Sequence, residues 1–253
     1  MALFCDFENV AIGVRESKYA AFDVRRVLER LLLKGDIVVK KAYCDWTRYQ
    51  DFKAGMHEAA FELIDIPHVR QSDKNSADIR MVVDALDLCY TKAHVDCFVV
   101  ISGDSDFSPL VSKLRENNKT VIGVGVKNST SDLLTANCDE FIFYDDLIRE
   151  TEKKAKARPP KPAKPRGDDA EAKKLEGVEL VVATAEDLLR ERGEEELLWG
   201  SMVKQTLRRR QPGFEESFYG FRSFGELLED AQKRGLLKID RDQKSGGHLI
   251  KRG

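Results

Sequence analysis

The sequence predicts an α/β protein, a parallel sheet sandwiched by helices, followed by a small winged helix-turn-helix domain. Three observations predict it. Short apolar runs alternate with helical spacing through residues 2–144, the signature of a sheet covered on both faces. Carboxylates stand where two of those runs end, at Asp6 and Asp104. The composition then breaks at a stretch rich in lysine and proline, beyond which three helical patterns precede a hairpin pattern.

The elements follow in order. Residues 2–5 form a short apolar strand, and Asp6-Phe7-Glu8-Asn9 reads as a polar turn after it. Residues 22–33 carry Val24, Val27, Leu28, Leu31 and Leu32 at helical spacing, with Gly35 as a stop signal. Residues 37–43 are strand-like, 49–63 helical, and 64–69 a weaker strand. Residues 77–90 form a helix with Ile79, Val82, Val83, Leu86 and Leu88. Cys97-Phe98-Val99-Val100-Ile101 is the clearest buried strand. A helix over 107–116, a strand over 120–126, a short helix over 130–136 and a strand over 140–144 complete this half. The first domain is expected at 1–149 and a basic, proline-rich linker at 150–177. Its core, 153–174, holds nine basic and three acidic residues and no large apolar side chain. Such a segment is a solvated tether, with a secondary role as a phosphate-binding arm left open. The second domain is expected at 178–253, with helices over 178–192, 198–210 and 224–234, and strands over 236–240 and 248–251 around Ser245-Gly246-Gly247.

The whole chain is 253 residues with 42% hydrophobic and 34% charged residues, and a formal net charge of −2. There is no global basic signature, so an anionic partner must be held by local patches. No apolar stretch is long enough to cross a membrane. The start of the chain lacks a basic, cleavable leader pattern. Cys5, Cys44, Cys89, Cys97 and Cys138 are odd in number and include no Cys-x-x-Cys pair. They read as buried thiols in a reducing cytoplasm rather than disulfides or a zinc site.

The acidic residues carry the chemistry. Asp6 ends a buried strand, where a carboxylate has no part in the core. Asp78 opens a helix, a position that also suits any aspartate. Asp104 and Asp106 lie in Ser102-Gly103-Asp104-Ser105-Asp106-Phe107, where Gly103 permits a sharp turn and Asp106 is a candidate helix cap. Ligands of parallel sheets bind beyond the carboxyl ends of strands. Carboxylates converging there repel one another unless they share a cation. Asn9 could orient water, bind phosphate or fix the turn. Asp84 lies about 600° around the helix from Asp78 and does not share its face, but a neighbouring angle could still bring it to the site.

This ordered set resembles the NYN branch of the PIN-like nuclease superfamily, the LabA-like group. The resemblance covers residues 2 to about 147, including Ser76-Ala77-Asp78-Ile79, Val82-Val83-Asp84-Ala85-Leu86 and the Ser102–Phe107 motif. It implies a metal site of Asp6, Asp78, Asp104 and Asp106 with Asn9 beside it, Mg²⁺ or Mn²⁺ as cofactor, and ribonuclease activity. An oxygen-ligand cage suits either ion, and a bound ion supplies an activated water without a histidine base. His57, His68 and His94 sit in ordinary helix or loop contexts.

The RNA would meet Lys74, Arg80, Arg48, Lys127 and Ser129 near the acidic rim, with Trp46, Tyr49 and Phe52 either stacking on bases or packing under a loop. In the second domain, Leu207-Arg208-Arg209-Arg210 and Tyr219-Gly220-Phe221-Arg222-Ser223-Phe224 resemble the LOTUS (OST-HTH) domain over about 178–251. That resemblance implies a module for RNA, through Arg208, Arg209 and Arg222, or for a protein partner. The function expected is therefore a metal-dependent endoribonuclease with an RNA-binding module. A non-catalytic RNA-binding scaffold and a protein-interaction adaptor are the alternatives. The oligomeric state is open, with a homodimer among the options.

Overall fold

The computed structural model describes residues 1–67, 76–157, 169–193, 197–242 and 247–251. The chain divides into two compact units, Met1–Leu31 with Asp36–Ala157, and Leu32–Gly35 with Arg158–Gly253.

Among the described residues, the first unit is built on six strands: β1 (Ala2–Asp6), β2 (Val39–Cys44), β3 (Glu62–Asp65), β4 (Cys97–Ile101), β5 (Thr120–Gly125) and β6 (Glu140–Phe143). All neighbours pair in parallel, in the order β3-β2-β1-β4-β5-β6. Side chains alternate between two buried faces. Leu3, Cys5, Ala42, Cys44, Val99 and Ile101 pack under helices α1 (Phe7–Glu16), α2 (Val24–Lys34), α3 (Gln50–Glu58) and α7 (Tyr144–Ala157). Ala2, Phe4, Tyr43, Phe98 and Val100 pack under α4 (Ser76–Thr91), α5 (Ser108–Glu116) and α6 (Asp132–Asn137). A sheet covered on both faces needs continuous apolar strands, and β1 and β4 supply them.

Several boundaries differ from the sequence expectation. The polar turn expected after the first strand is instead helix α1, which starts directly at Phe7 with Asp6 as its N-cap. Its buried residues Phe7, Val10, Gly13 and Val14 form one stripe. Phe7 seats it among Phe22, Trp46, Tyr49 and Phe52, with ring centroids 4.9–6.0 Å away. The helix expected over 49–63 ends at Glu58. Ala60 adopts a left-handed conformation (φ 57°) that reverses the chain, and Glu62 and Leu63 join β3. The linker expected at 150–177 is shorter at both ends. Its first residues continue α7 to Ala157, and α8 begins at Asp169. Alanine and lysine favour helix even without an apolar face.

The second unit has helices α8 (Asp169–Arg192), α9 (Gly200–Arg210) and α10 (Phe224–Lys233), and strands β7 (Leu198–Trp199), β8 (Lys238–Arg241) and β9 (His248–Lys251). The strands form an antiparallel sheet in the order β7-β9-β8. Val178, Val181, Val203, Leu207, Phe214, Phe221, Leu227 and Ile250 are among its buried residues. Ser223 caps α10 by accepting the Glu226 N–H (3.2 Å), and Glu226 returns to the Arg222 N–H (2.7 Å), a reciprocal cap in the manner of a capping box.

Phe7→Ala should destabilise the first unit by about 3–5 kcal/mol, the usual loss for a deleted core aromatic. Urea unfolding in a Trp199→Phe background, with Trp46 as the fluorescent reporter, measures it. A loss under about 1 kcal/mol would mean that α1 is not seated by this ring.

Candidate active site

The strand order places the point where the chain path reverses between β1 and β4. From β1 the connections lead outward to β2 and β3, and from β4 to β5 and β6. The carboxyl ends of these two strands therefore open a crevice between diverging connections, the usual ligand position in such sheets. Asp6 ends β1 there and is only 8% exposed. Its Oδ1 accepts the Asn9 N–H at 3.4 Å, and its Oδ2 accepts the Ser102 hydroxyl at 2.9 Å.

Asp104 belongs to the turn that follows β4. Its own N–H donates to Ser102 Oγ (3.2 Å), and its Oδ1 accepts the Asp106 N–H (2.9 Å). Ser102 thus links the two strand ends. The Gly103 N–H donates to Asn9 Oδ1 (2.9 Å), and Gly103 O accepts the Ser131 N–H (2.9 Å). A side chain at Gly103 would start 2.3 Å from Ser129 O, so only glycine lets the two loops approach. Asn9 therefore fixes the turn after β4 through its side-chain carbonyl, a contact with a distant loop that its sequence neighbourhood does not show.

Asp78 comes from α4, whose helical repeat explains its direction. Asp78, Met81, Ala85 and Cys89 follow the spacing i, i+3, i+7, i+11, and the last three are buried against the sheet. Asp78 is thus the carboxylate end of a sheet-facing stripe. Its charge, with that of Asp104, acts on Asp6. Burial first, then Asp78, and more weakly Asp104, push the Asp6 carboxyl from 3.8 to about 7, against the lowering effect of the bonds from Ser102 and Asn9. Asp106 is exposed on the same turn.

Other expected site residues have different surroundings. Arg80 pairs with Asp84 (3.1 Å) although it is largely exposed. Lys127 is exposed, but its ammonium lies 5.9 Å from the centroid of the Phe143 ring and its N–H donates to Asp145 (2.8 Å). Ser129 packs against Gly13 and Gly103. Trp46 is buried, donating from Nε1 to Ile64 O (3.2 Å), and Tyr49 and Phe52 pack on Phe7. These three rings are core rather than a stacking platform. Arg48 pairs with Glu8 (2.9 Å) at the rim. Lys74 and His68 lie outside the described residues. Arg208 and Arg222 are exposed, and Arg209 is partly so. Sequence reasoning missed the acids Glu8, Asp45 and Asp65 at neighbouring strand ends; together with Asp6 they raise the Cys44 thiol, after burial.

Among the described residues, no three His, Cys, Asp or Glu side chains stand close enough to make a preformed metal cage. The donor chemistry nevertheless fits a hard divalent cation. The groups at the crevice are carboxylates, and Asp6 is raised first by burial and then by the charges of Asp78 and Asp104, which a shared cation would offset.

Comparison with known proteins identifies the family of the first unit. The NYN domain model matches residues 1–145, more than half of the chain, and the chain belongs to the NYN domain family. The NYN domain is part of the PIN-like nuclease superfamily, whose members generally use divalent metals. An uncharacterized protein of Methanocaldococcus jannaschii is 28% identical over 120 residues, 47% of this chain and 47% of its own length. The chain thus spans about half the length of that curated relative. A crystal structure of a protein of unknown function from Vibrio parahaemolyticus matches with a TM-score of 0.51 and 28% identity, covering 58% of this chain and 93% of that one.

The raised Asp6 sets a pH dependence. Between pH 4 and 7 the folded protein keeps a proton that the unfolded chain has lost, so stability falls as pH rises through that window. Asp6→Asn should remove this fall. In metal-free protein at pH 8 the variant should melt roughly 5 °C above the parent, and at pH 4 the two should coincide. Equal melting at pH 8 would show that no buried repulsion exists at Asp6.

Proposed function

We propose that this chain is a metal-dependent endoribonuclease, hydrolysing RNA phosphodiester bonds at the crevice between β1 and β4. The observation that carries the reading is the buried Asp6, raised to about 7 beside Asp78 and Asp104 at the sheet's reversal point. In this reading Asp6, Asp78 and Asp104 hold Mg²⁺ or Mn²⁺, and Asp106 contributes from the mouth. When bound, such an ion polarises water and offsets charge developing on the phosphate. Ser102 and Asn9 keep the carboxylates in register by tying the two strand ends together. The exposed Arg80 and Lys127, with Ser129 and Lys74, would meet the RNA backbone.

The second unit is read as a winged helix-turn-helix module of the LOTUS type. Among the described residues, three helices with a three-stranded antiparallel sheet support it. Its exposed Arg208 and Arg222, with Arg209, would contact RNA phosphates, and a protein partner is the alternative ligand. Five free thiols, three of them buried, suit a reducing cytoplasm. No helix among the described residues is long and apolar enough to cross a membrane.

Asp104→Asn in the full chain, incubated with single-stranded RNA and Mn²⁺, should lose cleavage by about 100-fold or more, because even outer partners of a metal site cost 10–100-fold. RNA binding should persist, EDTA should abolish cleavage, and labelled RNA should yield internal fragments. Undiminished cleavage by the variant would remove the enzyme reading. RNA binding without any cleavage by the parent protein would leave the scaffold.

Arg208→Glu with Arg222→Glu should weaken RNA binding and flatten its salt dependence by roughly two units of log–log slope, one for each phosphate no longer neutralised. An unchanged slope would assign the second unit to a protein partner.

A further inference from the structure

One acid that the proposed chemistry leaves unused is Asp84. Its side chain is 12% exposed, and both of its oxygens are engaged. Oδ2 accepts the Tyr43 hydroxyl (2.9 Å) and the Lys41 ammonium (3.2 Å), and Oδ1 faces Arg80 Nε (3.1 Å). Burial pushes this carboxyl up, but the bonds from Tyr43 and Lys41 and the charges of Lys41 and Arg80 hold it below its ordinary value. It therefore stays charged and paired.

What these partners connect is specific. Tyr43 is the register partner of Asp6 across β1 and β2, and it is fully buried. Lys41 is two residues earlier on the same face of β2. Arg80 is two residues beyond Asp78 and one turn before Asp84 in α4. One carboxylate thus ties the middle of α4 to the strand beside Asp6, and Arg80 links it one turn back towards Asp78. It does so from the flank of the helix, on a different face from the Asp78–Met81–Ala85 stripe, where a tether resists rolling.

A roll matters at this site. A carboxylate stands several ångströms from the axis of a helix whose Cα radius is about 2.3 Å, so a turn of about 10° moves it by ~1 Å. A displacement of that size can cost on the order of 10²-fold in rate. A buried ion pair is a poor source of net stability, since apolar replacements often do as well. Positional control accounts for four groups committed to this one junction.

We propose that Asp84, held by Tyr43, Lys41 and Arg80, is a positioning residue that sets the rotation of α4 and so the approach of Asp78 to Asp6. This rests on the reading of Asp6 and Asp78 as parts of one cation site.

The test compares Tyr43→Phe and Asp84→Asn in the full chain, with Cys89→Ala as a control that loosens the far end of the same helix. Mn²⁺ affinity is read by proton relaxation, and hydrogen exchange of the 76–83 segment is read in metal-free protein. Tyr43→Phe retains every charge, so it remains informative where Asp84→Asn folds poorly. Both clamp variants should weaken Mn²⁺ binding about 5–10-fold and speed exchange at the start of α4, whereas Cys89→Ala should lower the melting temperature without changing Mn²⁺ affinity. RNA cleavage should fall in kcat with KM unchanged. The double variant should bind Mn²⁺ no worse than Asp84→Asn alone, because both changes break one junction. Unaltered exchange and unaltered Mn²⁺ affinity in the clamp variants would overturn the proposal. Absence of Mn²⁺ binding by the parent protein would instead overturn the cation site, and is seen before any variant is made.

Discussion

The hydrogen bond from Ser102 to Asp6 bridges the place where the sheet changes direction, and much of the site depends on it. Two parallel strands end side by side, and their connections leave in opposite senses. That divergence creates the crevice. Backbone pairing between the two strands runs as far as Cys5 and Ile101, and beyond it the strand ends are joined through side chains. Ser102 joins them by donating to Asp6 while accepting from the Asp104 N–H, and Asn9 adds the link to Gly103. The carboxylates are thus placed by the sheet's own register.

The bonds that order this crevice also lower the carboxyl that burial raises. Ser102 and Asn9 favour the charged form of Asp6, whereas desolvation and the acids Asp78 and Asp104 oppose it. The opposing effects are larger. A fold optimised for stability alone would not bring charges of one sign onto a buried strand end. The cost resides in the first unit, where two packed layers and the Phe7 aromatic cluster hold the strand ends regardless.

Much of this was legible in the sequence, and the failures have identifiable causes. The strands Ala2–Asp6 and Cys97–Ile101 announce themselves because burial on both faces demands unbroken apolar runs. Helix α4 was readable to within a residue at each end. Helix α1 was not, because Asp6, Glu8 and Asn9 resemble a turn and Gly13 weakens the helical pattern. The usable signal was Phe7, Val10 and Val14 at i, i+3, i+7 behind a capping aspartate. Gly13 is there because a side chain would strike Ser129, 116 positions away in sequence. The reversal at Ala60 has no glycine to mark it. Asn9 and Asp84 act through partners on other strands and helices, so local spacing could not assign them. The spacing could say that Asp84 leaves the face of Asp78, and the structure shows where it goes.

The distribution of cations follows from the same competition. Arginines near an acidic crevice are drawn into pairs: Arg48 with Glu8 and Arg80 with Asp84. A paired arginine at the surface keeps most of its donors, since its planar group offers five N–H bonds and a single contact uses one or two. Arg80 is over half exposed while it holds Asp84. An anionic strand arriving beside α4 would therefore meet a guanidinium already fixed in orientation by the carboxylate behind it. A lysine ammonium, with three donors, could also bridge a carboxylate and a phosphate, but it lacks the planar fork that fixes the direction of the guanidinium donors. In the RNA-binding reading proposed above, the pairing with Asp84 orders the Arg80 guanidinium for contact.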